Sequence, residues 1–150
     1  MKVTIQQVPK GEEEIIVRYS EKDAETAAVL ELLEARSTQL CGVLEETGES
    51  VMFSVGDVYY FESVDSVLYA YLENAVYRLN GRLDSAADRY APQGFARCSR
   101  VMAVNLYRIA RLKSLGAGRI LATMMNGENV VISRRYAGEL RRRLRTGREI

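Results

Sequence analysis

This sequence predicts a mainly β protein of the α+β kind: short antiparallel strands, with three helices that each pack one face. Three observations carry that prediction. Stretches rich in Tyr, Val and Leu recur from residue 38 to residue 132 and alternate apolar with polar in places. Turn signals separate them at short intervals, at Gly48, Gly116-Ala117-Gly118 and Asn126-Gly127. Apolar residues at helical spacing are confined to three segments, 20–36, 82–90 and the stretch after Ser133.

"MKVTIQQ" at 1–7 and "EEIIVRYS" at 13–20 read as strands around the turn Pro9-Lys10-Gly11. Ser20, with Asp23 three residues on, is the expected cap of a helix carrying Ala27, Leu30 and Leu33 and ending near Arg36. Residues 1–40 thus form a small acidic β-β-α unit, expected to pack on the rest or to mediate self-association. "TQLCGVLEE" and "ESVMFSV" flank Gly48 as a hairpin would. "DVYYFESV" (57–64), "VLYAYLE" (67–73) and "AVYRLN" (75–80) follow as strands, and "RLDSAADRY" (82–90) as a short helix ended by Ala91-Pro92-Gln93-Gly94. Strands resume at 95–104, 108–115, 119–125 and 129–132, with Asn126-Gly127 expected as a type I′ turn. Ser133 is the candidate N-cap of a last helix with one apolar stripe, Tyr136, Ala137, Leu140 and Leu144.

Composition bounds the chemistry. A chain of 150 residues, 47% hydrophobic and 27% charged, has room for one domain with a small extension. It has no run of roughly 20 apolar residues able to span a bilayer, and its N-terminus lacks a signal-peptide pattern, so a cytoplasmic protein is expected. Cys41 and Cys98 are too few for a disulfide framework or a zinc site. Histidine is absent, which removes the commonest general base and metal ligand, and no compact acid cluster replaces it. Neither an enzyme nor a cofactor is expected.

The net charge of +1 conceals an asymmetry. Residues 1–75 hold 5 Lys+Arg and 15 Asp+Glu, a charge of −10; residues 76–150 hold 16 and 5, a charge of +11. All but Lys113 of those sixteen basic residues are arginine, the side chain suited to bidentate contacts with phosphate and the guanine edge. A polyanionic partner is implied. Arg134 and Arg135 stand at a helix start, where cations are mildly disfavoured but an anion is welcome, so an anion contact explains them better than a solvated helix end. Arg141–Arg143 and Arg145 suit any helix C-terminus. Tyr59, Tyr60, Tyr69, Tyr71 and Tyr77 could stack single-stranded bases, yet their alternating placement reads better as sheet packing.

Several spaced motifs in order resemble the LytTR DNA-binding domain: "YYFES" at 59–63, "LNGRL" at 79–83, Phe95-x-Arg97-x-x-Arg100 leading to Val104-Asn105-Leu106 and Ile109, "NGE" at 126–128 and "SRRY" at 133–136. The resemblance covers about residues 44–146. It implies an elongated antiparallel fold of about ten short strands, in a bacterial transcription regulator that sets loops into successive major grooves of double-stranded DNA. Three places would meet the duplex: Asp65 and Ser66 after "FES", the segment with Arg97, Ser99 and Arg100, and the junction of Ser133, Arg134 and Arg135. Arg100 suits guanine O6 and N7, whereas Arg97 can equally position backbone. Repeated sites imply a homodimer, and a membrane-protein partner is a further implication. Two other readings stay open: an RNA or single-strand binder using the tyrosines, and a regulator that binds protein rather than DNA.

Overall fold

The computed structural model describes residues 1–147, with side chains described outside 34–37 and 145–147. Three helices and ten strands follow in order: α1 (Ala24–Ser37), β1 (Gln39–Leu44), β2 (Glu49–Ser54), β3 (Tyr60–Val64), β4 (Val67–Tyr71), β5 (Val76–Leu79), α2 (Leu83–Arg89), β6 (Phe95–Arg97), β7 (Met102–Asn105), β8 (Ile109–Gly116), β9 (Arg119–Met124), β10 (Asn129–Ile132) and α3 (Arg134–Gly147). The strands form two antiparallel sheets, one of seven in the order β2-β1-β5-β4-β3-β7-β6 and one of three in the order β10-β9-β8.

The β7–β6 edge of the large sheet is covered on both faces. Phe95 and Ala103 point to a core shared with Phe61, Leu68 and α2; their neighbours Ala96 and Val104 point to a second core under β9, β10 and α3. Alternation along a strand divides the residues in this way, and coverage on both sides explains why this stretch reads as continuously apolar. Phe61 and Phe95 are fully buried with ring centroids 4.8 Å apart. Each contributes about 2–3 kcal/mol by burial. The stripe expected on the last helix is present: Ala137, Leu140 and Leu144 are buried.

Asn105 closes the frame. Its buried amide donates to the Val58 carbonyl at 2.9 Å, and its side-chain oxygen accepts the Tyr107 N–H at 3.1 Å. The bond to Val58 is buried and the one to Tyr107 partly so, which makes the residue a structural pin between β7 and the segment before β3.

Four sequence expectations need correction. The two N-terminal strands do not form: residues 1–22 have no strand pairing, although the turn between them is present, with the Glu12 N–H donating to the Pro9 carbonyl at 3.1 Å. The cap of α1 is Asp23 rather than Ser20; its carboxylate accepts the Thr26 N–H at 2.8 Å, which holds the carboxyl below its usual range. The expected strand 95–104 is a hairpin of two strands, β6 and β7, because residues 98–101 turn without a glycine or proline to announce it. The turn at Asn126-Gly127 is not type I′. Only Gly127 has positive φ (+88°), and the Met124 N–H bonds the Glu128 carbonyl, giving a three-residue loop with glycine at the left-handed position.

Candidate nucleic-acid interface

Three turns meet at one end of the large sheet. The first is the β3–β4 connection, where Val64 pairs with Val67 and the two residues between, Asp65 and Ser66, both have positive φ (+50° and +65°). That geometry is a type I′ turn. Neither residue is glycine, and holding Ser66 there costs about 1 kcal/mol, a strain of the kind found at functional sites. Both side chains are exposed.

The second turn, 98–101, joins β6 to β7. The Ser63 N–H donates to the Val101 carbonyl at 2.8 Å, which ties this turn to the β3–β4 hairpin. Arg97 braces it from inside: its Nε donates to the Ser99 carbonyl at 3.2 Å, one terminal nitrogen donates to the Arg100 carbonyl at 2.7 Å, and the other pairs with Asp84. Ser99 Oγ accepts the Val101 N–H at 3.2 Å. Arg100 is left exposed on a turn whose four carbonyls, from Cys98 to Val101, all accept hydrogen bonds. Cys98 is fully buried beneath, and burial pushes its thiol up to about 12.

The third is the start of α3. Ser133 occupies the N-cap position, its carbonyl accepting the Ala137 N–H at 3.0 Å, while its own N–H donates to the Cys98 carbonyl at 2.8 Å. Arg134 and Arg135 follow, both exposed. The guanidinium carbons of Arg97 and Arg135 lie 5.5 and 5.4 Å from the centre of the Tyr136 ring. Backbone bonds therefore join all three sequence-predicted places, and Arg97 is the predicted cation whose guanidinium is spent on backbone carbonyls and a carboxylate.

The β8–β9 ribbon, outside the three sequence-predicted places, adds cations beside this site. Arg111, Lys113 and Arg119 are exposed on it, and its turn abuts Arg134: a Cβ built at Gly118 would lie 2.9 Å from Arg134 Cγ. The signal available in the sequence is the alternation of Arg111 and Lys113 along one strand. At the far end of α3 the arginines diverge. Arg143 donates to the carbonyls of Phe95 and of Ala91 (2.7 Å), and Arg142 pairs with Glu139. Arg145 lies outside the described side chains.

The tyrosines pack among themselves. Tyr60 and Tyr71 face each other across β3 and β4 with ring centroids 4.4 Å apart, and Phe53 and Tyr77 stack at 5.0 Å. The groove along Tyr69 and Tyr71 is lined by Glu45, Glu46, Glu73 and Glu128. Tyr71 donates to Glu62 at 2.8 Å, and burial together with that carboxylate raises its hydroxyl to about 12. Among the described residues no group of His, Cys, Asp and Glu is placed to hold a metal ion, and no helix is long and apolar enough to cross a membrane.

The mainly β fold is one that a family of DNA-binding domains shares. The chain belongs to the LytTR family: the model of the LytTr DNA-binding domain matches residues 48–145. Among solved structures, the LytTr DNA-binding domain of a methyl-accepting/DNA response regulator from Bacillus cereus superposes with a TM-score of 0.66 at 24% identity, covering 71% of this chain and 96% of that one. At that identity the likeness concerns the fold, and it extends to the ten strands in antiparallel sheets with short helices. No curated protein matches the chain. The family is one of DNA-binding domains, which makes the chain a DNA-binding regulator.

Proposed function

We propose that the chain is a sequence-specific, double-stranded DNA-binding transcription regulator of the cytoplasm, without enzymatic activity, that acts as a homodimer on repeated sites. The observation that carries this reading is the convergence of Arg100, Arg134 and Arg135, all exposed, on turns locked to one another by the Ser63–Val101 and Ser133–Cys98 backbone bonds. Rigid turns hold side chains at fixed spacing, which major-groove readout requires. In this reading Arg100 addresses guanine, and Asp65 with Ser66 touches base edges or sugar from the neighbouring hairpin. Ser133, Arg134 and Arg135 take phosphate at a helix N-terminus. Arg97 shapes the turn, and Ser99 contributes a backbone-bound hydroxyl beside the guanine reader.

The acidic lining of the tyrosine groove disfavours the single-strand alternative, since Glu45, Glu46, Glu73 and Glu128 would repel a polyanion from the only aromatic path named for it. Competition settles the matter. A labelled duplex selected from genomic fragments should be displaced by the same unlabelled duplex and not by its separated strands, and Arg100→Ala with Arg135→Ala should abolish the preference for the selected sequence. Displacement by single strands as good as by duplex would overturn the proposal. The protein-binding alternative predicts no salt-dependent DNA binding at all. A membrane-protein partner is also proposed as a regulator of this chain, and co-purification from detergent extracts tests it.

A further inference from the structure

We propose that residues 1–20 are a dimerisation arm that forms its β-structure with the same arm of a second copy of this chain. The proposal gives the homodimer of the preceding reading its interface and rests on that reading only for the pairing of DNA sites.

Sequence and structure disagree on this segment in an informative way. Val3 and Ile5 alternate with polar residues, and Ile15, Ile16 and Tyr19 follow beyond a turn, a strand-turn-strand pattern. The turn is made, with the Glu12 N–H on the Pro9 carbonyl and Gly11 at φ +97°. The chain start also returns to the foot of the arm, since the Met1 ammonium lies 3.6 Å from Glu25 at the beginning of α1. Residues 1–8 and 13–22 thus go out and come back like the legs of a hairpin. Among the described residues, however, no backbone hydrogen bond joins the legs, and the apolar side chains stand in water: Val3 is 79% exposed, Ile5 92% and Ile15 75%.

A lone two-stranded hairpin is marginal in water, because it has no apolar partner for its inner face. Two copies related by a twofold axis supply four strands, cover both apolar faces and satisfy the open backbone groups together. The charge of the arm permits this. Residues 1–20 hold three Lys/Arg and three Asp/Glu, neutral in sum, so two arms meet without the repulsion that the rest of the acidic half would impose. The start of α1, with Ala24, Ala27 and Ala28, lines a cavity with Arg143 and Leu144, at the end of α3 opposite Arg134 and Arg135. It packs on the body of the domain, where the Tyr107 hydroxyl donates to the Ala28 carbonyl at 3.4 Å.

The experiment is light scattering on the full chain across a concentration series, for the native sequence, for Ile5→Asp with Ile15→Asp, and for Leu115→Asp. Leu115 is a control, exposed on the β8 edge. The native chain and the control should show twice the 16.9 kDa monomer mass. The doubly substituted chain should show the single mass with an unchanged near-ultraviolet spectrum and unchanged affinity for a duplex carrying one site. A native chain that stays at the single mass, an arm variant that stays dimeric, or a control that dissociates would each overturn the proposal. Loss of DNA binding with the dimer intact would instead count against the DNA reading and leave the arm standing.

Discussion

Replacing Arg97 by alanine separates positioning from contact. The guanidinium gives two charge-assisted bonds to the carbonyls of Ser99 and Arg100, at 3.2 and 2.7 Å. Each is worth about 1.5–3 kcal/mol when its partner is left unsatisfied. The Asp84 pair adds little, because that carboxylate is 77% exposed. The contact with Tyr136 adds about 0.5–1 kcal/mol. Water regains part of the carbonyl bonding, since the Arg97 side chain is itself 23% exposed. The net loss for Arg97→Ala is about 2–3 kcal/mol, which lowers a urea midpoint by roughly 1 M. Affinity for the cognate duplex should fall about tenfold as the turn loosens, while the dependence of affinity on salt keeps its slope, because no phosphate contact is removed. Arg100→Ala should do the opposite: stability unchanged within about 0.5 kcal/mol, and affinity for the preferred sequence down by about 1–3 kcal/mol. An unchanged urea midpoint for Arg97→Ala, together with a salt slope smaller by about one, would refute this division of roles.

Three further outcomes follow from the frame. Asn105→Leu strands the Val58 carbonyl in the interior and leaves the half-buried Tyr107 N–H without its partner, so chemical denaturation should show a loss of about 1–3 kcal/mol. Gly94→Ala combines a φ of +99° with a Cβ only 2.4 Å from the Tyr107 ring, and should lower the melting temperature by well over the shift of an exposed Ala substitution such as Gly138→Ala, whose Cβ meets nothing. Cys41 is exposed and should react with a thiol reagent in the native protein, whereas Cys98 should react only on unfolding. Because burial raises the Cys98 thiol from 9.0 to about 12, the folded state favours its neutral form; that share of stability is full below pH 9 and is lost as pH rises toward 12. Denaturation followed at pH 8 and at pH 11 checks the sign.

The tyrosine strands were legible because their period of two is backed by β-formers and short polar breaks, and Tyr60 does pair with Tyr71. The α3 stripe was legible for the matching reason at helical period. Places where the reading failed share a physical cause, that local pattern says nothing of who covers a face. Residues 95–104 looked like one strand because both faces of β6 and β7 are covered, so no alternation marks the bend at 98–101. The role of Arg97 depends on the bend at 98–101, which brings the carbonyls of Ser99 and Arg100 back to its guanidinium and which no glycine or proline announces. The strand at 108–115 is legible in the sequence, but its place beside the start of α3 is not, because the contact of Gly118 with Arg134 arises only in the tertiary fold. Residues 1–20 have the pattern of strands, but among the described residues no segment pairs with them.

The most direct test of the central claim is the affinity of the purified chain for a selected duplex, measured across a range of salt concentrations with excess unrelated duplex as competitor. Binding that survives the competitor and weakens linearly in the logarithm of salt, with a slope that drops by about one in Arg135→Ala, is the predicted result. Binding abolished by unrelated duplex at every salt concentration, or a slope indifferent to Arg134 and Arg135, would contradict it.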